Sequence, residues 1–197
     1  MMRRLAAVVA CGLCALGATA RAGKLDYLEA KKSAPRAHPA DARVRKLVGK
    51  PPAPLVSLRN LWTYEVLAVD RRKDATIPKD AFDKFLRCHF TGRAADMDTR
   101  LEGVLMSAAV RFDAERIEIV SGFRAPKFNL VLRKKGHEVA RDSQHTYGHA
   151  VDFRVPGVPT RRLLAQVRSM SLGGVGFYPE SAFVHADTGP IRFWAGR

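Results

Sequence analysis

The sequence predicts an α+β fold, and three observations carry that reading. Short segments that alternate in polarity are mixed with segments of helical spacing, and few strand–helix–strand crossovers are present to order a parallel sheet. The strand-like segments end in turn residues rather than running on. At 197 residues and 47% hydrophobic content, the chain supports one domain with a substantial core.

The first residues stand outside that domain. Met1-Met2-Arg3-Arg4 is a positive leader, and Leu5 to Leu16 holds only small or apolar residues. Ala18-Thr19-Ala20 and Ala20-Arg21-Ala22 have the small-x-small pattern of signal-peptidase sites. The apolar run is too short to cross a bilayer. Residues 1–22 therefore read as a cleaved signal peptide, and the chain as exported to the periplasm or cell envelope. Val8-Val9-Ala10-Cys11 resembles a lipobox, but the apolar run before Cys11 is very short, so lipid anchoring at Cys11 is the lesser reading.

Residues 23–54 are rich in Lys, Arg, Ala and Pro with little periodicity, and read as a basic linker. Residues 55–197 form the domain. A net charge of +15 implies a polyanionic partner. For an exported chain that means anionic envelope polymers, met through the linker. The motifs of nucleic-acid readers are absent, and no nucleic-acid partner is expected. Oligomeric state leaves no mark in the sequence. Cys11 and Cys14 fall in the leader, so the exported chain keeps only Cys88 and has no internal disulfide. Cys88 reads as a small buried hydrophobe.

Within the domain, Leu55 to Leu61 and Glu65 to Val69 read as two strands around a turn. Pro78 to Phe90 reads as a helix with Pro in its first turn. Asp98 is placed to cap a helix over Thr99 to Phe112, where Leu101, Val104, Leu105, Ala108 and Phe112 recur at helical spacing. Ile117 and Ile119 alternate with Arg116 and Glu118 in a strand that runs into Ser121-Gly122-Phe123-Arg124. Val151, Phe153 and Val155 alternate with Asp152 and Arg154 in another. Thr160 is expected to cap a helix through Met170 with Leu163, Leu164 and Val167 inward. Phe183 to Asp187 is expected as the final core strand.

The chemistry gathers on two of these strands. Asp152 points away from Val151 and Phe153, while His185 and Asp187 share the face opposite Val184 and Ala186. Neighbouring strands can thus present Asp152, His185 and Asp187 to one cleft. His145 reaches it from the preceding turn, where Gly148 lets the backbone bend. Two imidazoles and a carboxylate make a zinc set with a fourth position open for water, so one Zn2+ per chain is expected on His145, Asp152 and His185. Asp187 is the candidate base, and Arg124, at the end of its strand, the donor for a carbonyl oxygen. Each residue also has an ordinary reading: His145 as a surface histidine, Asp152 as a cap, Asp187 as a turn residue before Thr188-Gly189-Pro190, Arg124 as an ion-pair partner. The joint pattern selects the catalytic one. His145 and His149 share helical i, i+4 spacing, but no Glu follows His145 and Gly148 interrupts, so His149 reads as a rim residue or a group behind the ligands.

Ser-Gly-Phe-Arg at 121–124 with Asn129, Ser-x-His-x-x-Gly-x-Ala-x-Asp at 143–152, Gly-Gly-Val-Gly-Phe-Tyr-Pro at 173–179 and Phe-Val-His-Ala-Asp-Thr-Gly-Pro at 183–190 together resemble the M15 peptidases. The resemblance is to their DUF882, MepK-like murein endopeptidase branch and runs from Val56 to Trp194. It implies a compact zinc peptidase domain with a small antiparallel sheet flanked by helices. By motif position it implies His145, Asp152 and His185 as zinc ligands, Arg124 as the substrate-carbonyl arginine, and Ser143 before the first ligand. Ser143 is expected at the substrate cleft, and Tyr178, the other expected substrate contact, and Trp194 either line it or pack in the core. The implied substrate is a peptide stem or cross-link of peptidoglycan. One departure stands out: the position three residues before the last His, where many M15 enzymes carry an acid, is Ala182. That departure motivates the alternative reading, a non-catalytic peptidoglycan-binding module that retains the fold and metal.

Overall fold

The computed structural model describes residues 55–71, 76–137 and 139–196, which belong to one compact unit. The expected signal peptide, the linker and Cys11 lie outside the described residues.

Strand β1 (Leu55–Asn60) turns back into β2 (Val66–Asp70) because Asn60 Oδ1 accepts the backbone N–H of both Trp62 (2.9 Å) and Thr63 (3.1 Å), a side-chain substitute for the usual turn bond. Helix α1 (Lys79–Phe85) is shorter than the expected 78–90. It stops because the Leu86 carbonyl accepts the Phe123 N–H at 2.7 Å instead of continuing the helical ladder. Helix α2 (Arg100–Arg111) has Thr99, not the expected Asp98, at its N-cap, although Asp98 Oδ1, one residue earlier, accepts the Arg100 N–H at 3.0 Å. Strand β3 (Arg116–Ser121) leads into α3 (Pro126–Lys134), a helix the sequence reading did not anticipate. Its signal was Pro126 at the first turn.

A short 3₁₀ turn (Gln144–Tyr147) precedes β4 (Ala150–Arg154). Helix α4 (Thr160–Ser169) has Pro159, not the expected Thr160, at its cap, and the Pro159 carbonyl accepts the Arg162 N–H at 2.8 Å. Strands β5 (Gly174–Tyr178), β6 (Phe183–Asp187) and β7 (Arg192–Ala195) complete the described chain. β6 is therefore not the last strand: β5 and β7, unforeseen because glycine and surface residues mask their alternation, flank it on one side.

The α+β class holds, but the sheet is larger than expected and mixed. Its seven strands run in the order β2-β1-β3-β4-β6-β5-β7. All neighbours are antiparallel except β1 with β3 and β5 with β7. Helices α2 and α4 touch one another and both touch β6. Leu101, Val104, Leu105, Leu163 and Val167 meet Val151, Phe153, Val184 and Ala186 in the core on that face, with Cys88 also fully buried in the core. Each large side chain removed from water there contributes about 1.5–3 kcal/mol. Strand alternation then leaves Asp152, His185 and Asp187 for the other face.

Candidate active site

The register of the two central strands creates the site. Asp152 on β4 lies directly opposite His185 on β6, a cross-strand pair that brings carboxylate and imidazole to one face. Ser121 on β3 is the neighbour of Asp152 on the other side. His145 enters from the 3₁₀ turn. That turn closes at Gly148, whose φ of 78° is left-handed and whose absent Cβ would sit 2.5 Å from the Asp96 carbonyl oxygen. Only glycine meets both demands, and it directs the chain from His145 into β4.

His145, Asp152 and His185 converge as the sequence predicts, all three buried. His185 Nδ1 is 2.8 Å from Asp152 Oδ1, His145 Nε2 is 3.1 Å from Asp152 Oδ2, and the two imidazole nitrogens lie 3.1 Å apart. Two nitrogen lone pairs and a carboxylate in one buried spot need a cation between them. The remaining ring nitrogens are already committed. His145 Nδ1 donates to the Gly122 carbonyl at 2.7 Å, and His185 Nε2 donates to Asp187 Oδ2 at 2.8 Å. These bonds fix the tautomers that turn His145 Nε2 and His185 Nδ1 toward the cluster, the arrangement found behind metal-bound imidazoles. The residues fit a divalent metal ion with three protein ligands.

Burial lowers the pKa of His145, with the Arg124 charge adding to it, and keeps that ring neutral. Burial also acts to lower His185, but hydrogen bonds and charge from Asp152 and Asp187 outweigh it and raise its pKa. Burial opposes ionisation of Asp152 as well, yet the two imidazoles hold it far below the ordinary carboxylate range.

Asp187 meets His185 at Nε2, the ring nitrogen that faces away from the cluster. It is buried behind His185 with its acceptor capacity spent: Oδ1 takes the N–H groups of Gly174 (3.0 Å) and Gly189 (2.9 Å), and Arg192 Nη2 lies 2.7 Å from Oδ2. Burial raises its pKa, but the His185 and Gly174 hydrogen bonds prevail and lower it to about 2. The glycine run on β5 makes this packing possible. A Cβ on Gly174 would lie 2.5 Å from Asp187 Oδ2 and 2.6 Å from Arg192 Nη1; one on Gly176 would lie 2.7 Å from the Trp194 indole. Trp194 accordingly comes within 5.1 Å of the His185 ring, and its Nε1 donates to the Tyr178 hydroxyl at 3.0 Å.

Arg124 lies on the open side. Its Nη2 is 3.7 Å from Asp152 Oδ2 and its bonds to Asn129 Oδ1 and Ser121 Oγ are both 3.4 Å, long for such contacts, while Nε has no partner. Burial lowers its pKa from the usual guanidinium value, against the opposing pull of Asp152. A buried guanidinium so loosely bonded has donors to spare. Arg124, Ser143, His145, Asp152, Tyr178, His185 and Trp194 all line one cleft of about 750 Å³, within the usual range of ligand sites. Ser181 lines it too, whereas Ala182 does not. His149 is exposed beside Tyr147 and takes no part in the cluster. Arg192, the Gly122 carbonyl and the reason for Gly174 and Gly176 escaped the sequence reading, because each acts through a contact between distant strands or turns.

Residues 52–194 match the family Peptidase_M15_2, described as peptidoglycan L,D-endopeptidase MepK. The chain is 32% identical over 160 residues to the probable peptidoglycan L,D-endopeptidase MepK of Haemophilus influenzae, covering 78% of this chain and 85% of that protein. It is 40% identical over 95 residues to the peptidoglycan L,D-endopeptidase MepK of Escherichia coli strain K12, covering 48% of this chain and 49% of that one. No solved structure matches the chain significantly.

Proposed function

The chain belongs to the MepK family of M15 peptidases, and from that membership we propose that it is a zinc-dependent endopeptidase that opens L,D cross-links of bacterial peptidoglycan. The convergence of His145, Asp152 and His185 in a cleft that also holds Arg124 is the observation that supports this most. His145, Asp152 and His185 would hold the zinc ion, which supplies Lewis acidity and an activated water for hydrolysis. Arg124 donates to the carbonyl oxygen of the scissile peptide and to the negative charge that grows there; one such donor is worth about 2.7–4 kcal/mol of barrier. Ser143 and Tyr178 contact the peptide on the cleft walls. Asp187 acts through His185: it holds the imidazole in the ligating tautomer and orientation, and Arg192 holds Asp187.

Relatives named as endopeptidases weigh against the alternative of a non-catalytic wall-binding module. Action on peptidoglycan places the protein in the envelope, and the leader at residues 1–22 supports periplasmic delivery. The basic segment 23–54 is proposed to lie on anionic envelope polymers. No helix among the described residues is long and apolar enough to cross a membrane.

Muropeptide dimers carrying either L,D or D,D cross-links, incubated with the zinc-loaded or chelator-stripped protein and resolved by mass, test the proposal. Zinc-dependent conversion of the L,D dimer to monomers is expected. Turnover that survives rigorous metal removal would overturn the zinc reading. Stoichiometric zinc with no turnover of either dimer would restore the binding module.

A further inference from the structure

Beside Arg124, four aromatic rings from three separate segments stack into a strip that plays no part in the metal cluster. Trp62, in the β1–β2 turn, lies flat against His89, with ring centres 4.5 Å apart and planes 7° from parallel. His89 meets Phe128 of α3 edge-on at 4.8 Å, and Phe128 stacks on Phe90 at 5.0 Å. The strip faces solvent: Trp62 is 58% exposed and Phe90 51% exposed. Its position is pinned to the site. Trp62 Nε1 donates to the Val120 carbonyl at 2.8 Å, two residues before Gly122, whose carbonyl holds His145. Phe128 sits in the first turn of α3, four residues after Arg124, with its N–H on the Ala125 carbonyl at 2.8 Å. His89 lies near enough to Arg124 that, after burial, the guanidinium charge lowers its pKa.

Aromatic rings left in water at a fixed position are disfavoured unless something covers them. The only polar side-chain atom of Trp62 is already bonded to Val120, so its outer face asks for an apolar, flat partner. The strip is a row of four rings, each in contact with the next. A sugar ring suits that shape: one face of axial C–H groups for the aromatic face, with hydroxyls and amides at the rim for water and charge. On the proposed peptidase reading, on which this inference rests, every peptide stem at Arg124 hangs from a polysaccharide, so a sugar lies within a stem's length of the cleft. We infer that Trp62, His89, Phe90 and Phe128 form a saccharide platform that seats the N-acetylated glycan strand bearing the cut stem.

The test measures binding without hydrolysis. The chelator-stripped protein is mixed with peptide-free glycan strands in high salt, which screens the basic surface. Retention of the wild-type chain is expected, with affinity about fivefold to tenfold weaker in Trp62→Ala and in Phe90→Ala and regained in Trp62→Phe. Both rings are exposed, and unchanged thermal unfolding verifies that the variants fold. A wild-type chain that ignores glycan strands, or alanine variants that bind them equally well, would overturn the platform. Failure of the peptidase reading shows separately, as a zinc-loaded wild-type chain that leaves a sugar-free cross-linked peptide uncut.

Discussion

Asp187 and His185 illustrate how one residue's role depends on which side of an imidazole it occupies. With Asp187 bonded to the far nitrogen of His185, Asp187→Asn is expected to weaken zinc binding about 10–100-fold, and saturating zinc restores most of the rate. A rate loss that saturating zinc does not restore, at unchanged zinc affinity, would instead assign Asp187 the role of base. Arg124→Met is expected to lower kcat by about 10²–10³ while zinc affinity, read by competition with a chromophoric chelator, holds. The proton on His185 sets a pH dependence. Its pKa is raised in the metal-free fold, so below that pKa each zinc ion must displace a proton. Calorimetric zinc affinity should rise about tenfold per pH unit below the raised pKa and level off above it. The same proton stabilises the metal-free fold fully below the ordinary histidine pKa, and that contribution is lost as pH rises through the raised value. A pH-independent zinc affinity would contradict the assignment.

Among the elements, the 3₁₀ turn before β4 carries the strictest local requirement. A methyl group on Gly148 meets a backbone carbonyl that cannot swing aside, and the φ of 78° adds strain. Gly148→Ala is expected to destabilise the fold by about 1–3 kcal/mol, read by denaturant unfolding. It is also expected to weaken zinc binding, because the turn positions His145. β4, β6, α2 and the β1–β2 hairpin were legible because their periodicity and turn chemistry are local. The early end of α1 was not, because the Phe123 N–H takes the Leu86 carbonyl and overrides helical propensity. β5 and β7 were hidden for a similar reason. Gly174 and Gly176 weaken the alternation of β5 to make room for side chains from Asp187, Arg192 and Trp194.

Across the whole molecule, the net charge of +15, or +12 without Arg3, Arg4 and Arg21 of the leader, makes association with an anionic wall dependent on salt. Removing residues 23–54 is expected to weaken co-sedimentation with sacculi in low salt while leaving turnover of a soluble muropeptide dimer unchanged. Equal sedimentation of both forms would remove the linker from the binding surface.

The sequence by itself determined the α+β class, the three candidate ligands and the cleft arginine, because alternation along a strand dictates which side chains share a face and the motifs keep their order. Tertiary structure decided the pairing of Asp152 with His185 across two strands, the placement of Asp187 behind rather than beside the cluster, and the aromatic strip next to Arg124. Those facts depend on strand register and on contacts between segments far apart in the chain, and no local pattern encodes them.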